Sequence, residues 1–505
     1  MRSSAGNNST LGAALRWGAV GCAVGVLIAV LPSCKVGPNY ERPAMDVPAT
    51  YKSATTAPTT EAAARLAPDW WKLFGDPTLN QLECTAVENN QNVQAAMARV
   101  LEARATANIT KSQFYPTITA NPTYTRSRSS GNLSTSTYNG TQSHTRNDFR
   151  VPIDLTYEVD VWGRVRRAYD QSKAQLQASA DDFQVVLQTL ESDVAQNYFN
   201  LRSFDAQYDI VSQNVADYNR QVELLQTQYK AGVVGNLDVL QAEALRDTAL
   251  SKQEDLKRLR DDAEHALAVL LGEPPAKLSI PVEPFAIQPP VVPGGFPADL
   301  LRRRPDVAEA EQFLIAANAN VGVQTANFYP VFTITGSAGF ESADLHHLLD
   351  WESHIWTFAP NVSAPLFEGG KLVSNLELAK QQYNESVANY RQAVLTAFQD
   401  VEDALSDLHH YAIEAHAVDV AVNSSSEYLR LSNIQFKNGI INYLTVIDAE
   451  RTLLNNQLTA AQVSNDRLIS SVLLMKAMGG GWDSRDPASS QPAIPHDDQV
   501  AATRP

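Results

Sequence analysis

Cysteine is scarce in this 505-residue chain, which holds only Cys22, Cys34 and Cys84. Three thiols without a CxxC or Cys/His spacing exclude a disulfide framework and a structural zinc site. The nine histidines are scattered. The pairs His346-His347 and His409-His410 have no ligand-type residues at metal spacing, so they read as solvated or packing side chains. Positive charge is also in deficit: 40 Lys+Arg against 56 Asp+Glu give a formal net charge of -16. Such a chain offers no basic face to a nucleic acid. No standard nucleophile, metal or phosphate motif occurs, so no enzymatic activity, catalytic residue, bound metal or cofactor is expected of this chain. The apolar run Gly18 to Leu31 spans 14 residues, too few to cross a bilayer as a helix.

That run has the makeup of an export signal. Arg2 and Arg16 supply a positive leading region, and the run ends at Leu31-Pro32-Ser33-Cys34. This ending resembles a bacterial lipobox, with Leu31 three positions before the cysteine and small Ser33 just before it. An ordinary signal followed by a stray cysteine is the plainer alternative. In the lipobox reading Cys34 becomes the mature N terminus and carries S-diacylglycerol and N-palmitoyl groups, which anchor it by burial of acyl chain in outer-membrane lipid. Lys35 in place of an aspartate favours the outer membrane as destination. Cys22 leaves with the signal, and Cys84 is expected to be an inert buried thiol.

The mature chain is written twice. Gln228 to Glu243 (QYKAGVVGNLDVLQAE) and Gln435 to Glu450 (QFKNGIINYLTVIDAE) align at an offset of 207 residues. Phe114-Tyr115-Pro116 recurs as Phe328-Tyr329-Pro330 at offset 214, as does Asn92-Val93 in Asp306-Val307, and Gly163-Arg164 recurs as Gly370-Lys371 at 207. An indel therefore lies between the FYP and Gly-basic markers. Between the copies, Gly272 to Pro297 carries eight prolines, a density that leaves only extended chain.

Each copy contains a hairpin pattern. Phe149, Val151, Ile153, Leu155, Tyr157, Val159 and Val161 alternate with Arg150, Pro152, Asp154, Thr156, Glu158 and Asp160. A period of two means a strand with one apolar and one polar face. Ile118, Ala120 and Tyr124 form the partner pattern, joined through the polar loop 127–147. The second copy repeats it with Phe332, Ile334, Ala338 and Phe340, then Trp356, Phe358, Val362, Ala364 and Leu366. A soluble sandwich and a transmembrane barrel both accept such strands. Strand length and long polar loops favour the barrel. Four strands do not close one, and open edges are forbidden in lipid, so several chains must share a barrel.

No glycine or proline interrupts 165–231 or 371–438. Apolar residues from Phe183 to Tyr229 advance in 13 steps over 46 residues, about 3.5 per step, the coiled-coil period. Shorter helices are expected at 77–111, 237–271, 305–327 and 443–478. Gly232 and Gly439 sit where helices must reverse, as glycine C-caps do.

Several stretches then resemble one family. They are Cys34-Lys35-Val36-Gly37-Pro38-Asn39-Tyr40 with Pro43, Trp70 to Leu79 (WWKLFGDPTL), both FYP entries, both reversal motifs, and Gly479-Gly480-Gly481-Trp482. On these residues the chain resembles a TolC/OprM-like outer membrane factor, of the lipoprotein kind paired with RND efflux pumps. The resemblance covers nearly all of Cys34 to Trp482. It implies an α+β membrane protein, a trimer whose 12-stranded β-barrel takes four strands per chain and continues into a long coiled-coil α-helical periplasmic barrel. It also implies a periplasmic membrane-fusion adaptor and an inner-membrane RND-type pump as partners.

The layout that follows is a signal peptide (1–33), a lipid anchor and N-terminal equatorial strap (34–77), and a first repeat (78–271) with hairpin 117–161, long helix 165–231 and helix 237–271. A Pro-rich equatorial connector (272–297), a second repeat (298–482) with hairpin 331–366, long helix 371–438 and helix 443–478, and a disordered tail (483–505) complete it. By the same resemblance Leu444 and Asp448 narrow the periplasmic entrance, and Phe436 stands where relatives carry a tyrosine. Ile441 and Thr445 replace residues of a TolC-style salt-bridge latch. Gly232, Val233, Asn236, Gly439, Ile440 and Asn442 become the adaptor-contacting tips. The function implied is passive conduction of drugs, toxic compounds or metal ions. A type I secretion outlet, or a non-channel coiled-coil structural lipoprotein, is the alternative.

Overall fold

The computed structural model describes residues 35–48, 50–53, 67–130, 145–283, 287–290 and 302–482. The signal segment with Cys34, the tail, and parts of the strap, of the first hairpin's loop and of the connector lie outside the described residues. That loop is shorter than the expected 127–147, because Ser127 and Arg128 pair with Arg146 and Thr145 and extend both strands. A 3₁₀ turn at Trp70–Phe74 precedes α1 (Pro77–Asn89), α2 (Gln91–Ser112), β1 (Thr117–Ala120), β2 (Thr123–Arg128), β3 (Thr145–Val159), α3 (Arg164–Lys230) and α4 (Asn236–Leu270). The second copy runs α5 (Pro305–Ala326), β4 (Val331–Ser342), β5 (His354–Ser363), α6 (Lys371–Lys437) and α7 (Tyr443–Ala477). At 1.5 Å per residue, α3 and α6 are each ~100 Å long. No described helix is long and apolar enough to cross a membrane.

The expected helix over 77–111 is two helices. Asn90 is extended (φ -64, ψ 128), and its side-chain oxygen accepts from the amides of Asn92 (2.8 Å) and Val93 (3.2 Å), which starts a new helix. Its Nδ2 meanwhile donates to the Leu270 carbonyl at 2.8 Å. The second hairpin also ends earlier than residue 366. β5 stops at Ser363, and Leu366 is 96% exposed beyond it.

The chain divides into two compact units, and each takes segments from both copies. The first holds 1–42, 104–175 and 314–386, and the second holds 43–103, 176–313 and 387–505. The repeats are units of sequence and not of packing.

In the first unit the two hairpins form one antiparallel sheet, because β3 pairs with β4 along its length. β1 and β2 both pair with β3, forming one edge broken at Asn121-Pro122, where proline has no N–H for a ladder. β5 is the other edge. The registers keep like with like. Ile118 faces Leu155, Tyr124 faces Phe149, Tyr157 faces Ile334 and Phe332 faces Val362. In the alternate rows Thr119 faces Asp154, Glu158 faces Thr333 and Ser337 faces Thr357. One face is therefore apolar across the sheet and the other polar. Among the described residues the apolar face is uncovered: Ile118, Ile153, Trp356, Phe358 and Val362 are all more than half exposed. After β3 the chain turns into α3 on two ion pairs, Arg164–Glu158 (2.6 Å) and Arg166–Asp160 (3.0 Å).

The second unit has a helical core. Trp70 (1% exposed) and Phe74 pack on Phe199 of α3, with Phe74 and Phe199 ring centroids 4.9 Å apart. Each such aromatic contributes a few kcal/mol by burial, about 25 cal/mol per Å² of apolar area. Cys84, expected to be buried, is exposed on α1. The residue turned inward is Glu83, whose side chain is fully buried. The helical phase of α1 presents Leu79, Leu82, Glu83 and Ala86 to the core and leaves Cys84 outside.

Candidate functional site

The sequence-selected gate and tip residues lie in the second unit, at the reversals between α3 and α4 and between α6 and α7. Both long helices end in the same capping motif. Gly232 (φ 74) donates to the Tyr229 carbonyl at 2.9 Å, and Val233 donates to that of Gln228 at 2.8 Å. Gly439 (φ 69) donates to Phe436 and Ile440 to Gln435, each at 2.9 Å. This 6→1 and 5→2 pattern needs a left-handed residue, which glycine supplies without strain. Val233 and Ile440 follow at 71% and 70% exposure, so each turn presents an apolar tip.

The next helices start differently. Before Asn236 of α4, Gly235 is the N-cap, and its amide donates to Asp238 Oδ2 at 3.3 Å. Before α7, the N-cap is Asn442, whose Oδ1 accepts from the Thr445 amide (3.2 Å) and hydroxyl (3.0 Å). The cap fixes the first turn of α7, and that turn carries Leu444.

Leu444 and Asp448 are spaced i, i+4 and are both exposed, on one face of α7. Asp448 accepts a 3.3 Å hydrogen bond from the Tyr428 hydroxyl of α6. Phe436 lies elsewhere: it is half-buried against Tyr443, with ring centroids 5.3 Å apart. The structure thus places Leu444 and Asp448 on the exposed face and Phe436 half-buried beside Tyr443.

Behind this face a groove of about 870 Å³ runs between the ends of α3 and α6, lined by Gln221, Leu224, Ile434, Phe436, Tyr443 and Glu450 among others. Tyr443 donates to Gln221 Oε1 at 2.7 Å, and the Gln221 amide donates to Glu450. Glu450 is 4% exposed. Burial lifts its pKa to about 7; the Gln221 bond pulls it down and the Asp217 charge pushes it up. Val446 and Ile447 of α7 join Val215, Tyr218, Val222 and Leu225 of α3 and Val239 of α4 in one buried cluster. So α7 buries one face on α3 and α4 and keeps the Leu444–Asp448 face outward.

Known proteins share this arrangement of elements. A profile of the family described as "Outer membrane efflux protein" matches residues 84–273 and 296–480. The chain belongs to the outer membrane efflux protein family. Within it, the chain is 32% identical over 467 residues to the probable efflux pump outer membrane protein TtgC of Pseudomonas putida, covering 92% of this chain and 96% of that protein. It is 32% identical over 473 residues to outer membrane protein OprJ of Pseudomonas aeruginosa, covering 93% and 97%. The solved outer-membrane channel OprN superposes with a TM-score of 0.83 at 28% identity, covering 89% of this chain and all (100%) of that one. This efflux protein is therefore an outer-membrane channel component of α+β build.

Sequence reasoning missed Tyr428, Gln221 and Glu450. Glu450 was visible only as the last letter of a repeat, and its burial depends on Gln221 and Tyr443 arriving from distant helices. Tyr428 carried no motif of its own. In the first unit, His346 and His347, expected to be solvated or packing side chains, each meet one exposed carboxylate: Asp344 at 3.4 Å and Asp350 at 2.8 Å. No group of three or more metal-type ligands occurs among the described residues.

Proposed function

We propose that this efflux protein is the passive outer-membrane duct of a tripartite efflux system, assembled as a homotrimer and fed by an inner-membrane RND-type pump through a periplasmic membrane-fusion adaptor. The observation that carries the reading is the sheet, four strands wide, with two open edges and one uncovered apolar face. Lipid accepts that face, but it does not accept unpaired strand edges. Three copies joined edge to edge give 12 strands, enough to close around a watery lumen lined by the polar rows. The 67-residue helices α3 and α6 then extend the lumen into the periplasm as a coiled-coil barrel. Relatives named as antibiotic and toluene efflux pump outer membrane proteins support small molecules as cargo.

In this reading Cys34 is the acylated N terminus. The tips at Gly232, Val233, Asn236, Gly439, Ile440 and Asn442 meet the adaptor. Leu444 and Asp448 form two stacked rings at the periplasmic mouth, with Phe436 packing behind them. Three leucines narrow and dry the bore, and three carboxylates near the axis draw in cations. Detergent-solubilised protein is expected to run at three times the chain mass and to conduct ions in planar bilayers. A lone protomer, or a trimer that never conducts, sinks the assignment. Leu444→Ser with Asp448→Ala is expected to raise single-channel conductance about severalfold by widening the narrowest ring; unchanged conductance removes these residues from the gate.

A further inference from the structure

The start of the described chain is held by an arginine whose role neither the sequence motifs nor the family assigns. Residues 35–39 form no helix or strand, yet their backbone is engaged at successive positions. The Val36 amide donates to the Trp162 carbonyl at 3.1 Å. Arg167 Nε donates to the Val36 carbonyl at 3.2 Å, and Nη2 donates to the Gly37 carbonyl (3.2 Å) and to Asn39 Oδ1 (3.4 Å). Asn318 Nδ2 donates to the Pro38 carbonyl at 3.3 Å, and the Lys35 ammonium pairs with Asp170.

Arg167 is 4% exposed. Burying a guanidinium is costly, and here the fork is spent on the chain's leading carbonyls. The backbones are close enough to need glycine. A Cβ on Gly37 (φ +90) would stand 2.6 Å from the Gly322 Cα, and one on Gly322 would stand 2.7 Å from Arg167 Nε. The acceptor of the Val36 amide is itself tied to the sheet. Trp162 Nε1 donates to the Pro330 carbonyl at 2.8 Å, immediately before β4, and its ring stacks on Tyr329 at 4.7 Å. The leading segment is thus registered against the ends of β3 and β4.

We propose that Arg167 is the positioning residue for the membrane anchor, clamping Val36 to Asn39 at the foot of the sheet so that a lipid on Cys34, two residues before the clamp, enters the bilayer at one fixed place beside the strands. The proposal rests on the reading of Cys34 as the acylated residue. A lipid on a slack tether samples any nearby patch of membrane, whereas a clamped one stays next to its own barrel at high local concentration.

The test treats the intact detergent-solubilised trimer with a protease that cuts after lysine and follows the mass of the chain. The Lys35–Val36 bond is expected to resist in the native protein, because the Val36 N–H and C=O are both held. In Arg167→Ala local opening is expected to expose the bond and speed its cutting at least about tenfold, the chain losing its acylated Cys34-Lys35 dipeptide while the trimer and its conductance remain. Arg167→Lys, which keeps the charge but not the fork, is expected to behave like alanine. If Arg167→Ala fails to assemble, the lysine variant and Gly322→Ala, whose new Cβ meets the guanidinium, give the same readout. Cleavage at the native rate in an assembled variant overturns the role of Arg167. A native N-terminal peptide without acyl groups overturns the Cys34 reading, and with it the anchor role, whatever the cleavage rates.

Discussion

The two copies of the repeat share a template at a spacing of 207 residues but have been put to different uses. In α3, residues 198–217 include Tyr198, Phe199, Leu201, Arg202, Asp205, Val211 and Val215, all buried. The matching stretch of α6, 405–424, contains no buried residue. Tyr218 and Leu225 of the first copy become Ser425 and Ser432 in the second. The first copy thus builds a core within its own chain. The second leaves Ile413 (57% exposed) and Val420 (52%) facing outward at a heptad spacing. A duplicated helix with the same period and length can therefore serve as a core in one copy and as an open face in the other.

Substitutions at matched positions test that asymmetry, and the largest effect is expected in the first copy. Phe199 is fully buried against Phe74, so Phe199→Ala is expected to destabilise by ~3–5 kcal/mol. Ser406→Ala, at the matching site of α6, is expected to change stability by less than ~0.5 kcal/mol. Urea midpoints measured in detergent compare the two; similar losses at both sites would mean that α6 is as much a core helix as α3.

Next in size is a change of assembly without loss of fold. Ile413→Asp with Val420→Asp places charges on the open face of α6, where both positions are more than half exposed among the described residues. Helical circular dichroism is expected to persist while the native mass falls to one chain. A trimer that tolerates both aspartates shows that the open face of α6 is not where copies meet.

A smaller effect separates the tips. Leu237 and Leu444 are counterparts, 66% and 55% exposed. Leu444→Ser is expected to raise conductance up to about twofold, and Leu237→Ser to leave it unchanged, since only the second copy is assigned to the bore. Equal increases would give both copies a place at the mouth.

How much of this was legible in the sequence follows from where each feature gets its determinants. The reversals at Gly232 and Gly439 were readable because a helix C-cap is local. The alternation in β3 was readable because strand period is local too. That β3 lies beside β4, uniting two hairpins, was not written locally; it depends on the Tyr157–Ile334 and Leu155–Gly336 registers between copies. The break at Asn90 was hidden because asparagine is tolerated within helices, and what fixes it here is the distant Leu270 carbonyl. Cys84 was misplaced for a related reason. A lone thiol is usually buried, but the phase of α1 gives the inward position to Glu83, a residue that composition would send outward. At the gate, the Leu444–Asp448 spacing was visible, whereas the Tyr428 hydroxyl on Asp448 and the bonds around Glu450 arise only when α3, α6 and α7 come together.

The last matched pair is two counterpart glutamates. Glu243 is half-buried and accepts from Gln226 at 3.0 Å. Glu450 is buried, and burial raises its pKa to about 7, from 4.5. A carboxyl whose pKa is higher in the folded protein than in the unfolded chain holds its proton longer when folded. Between pH 4.5 and 7 the folded state therefore binds more protons, and stability falls as pH rises. The contribution is complete below pH 4.5 and is lost as pH climbs through about 7. With one proton at issue, the slope is at most about 1.4 kcal/mol for each step of one in pH. Glu83 and Glu191, also buried, titrate upward in the same protein, Glu191 to about 8 and both chiefly through burial, so the native slope is a sum. Glu450→Gln keeps the shape and the Gln221 contact but removes the proton, and is expected to take its own share out of the slope between pH 5 and 7.5. Glu243→Gln supplies the matched substitution in the first copy. Thermal midpoints across that pH range decide the matter: parallel curves for the native protein and Glu450→Gln would mean that water already reaches the carboxyl, and that the second copy is no more tightly packed behind its gate than the first is at its own tip.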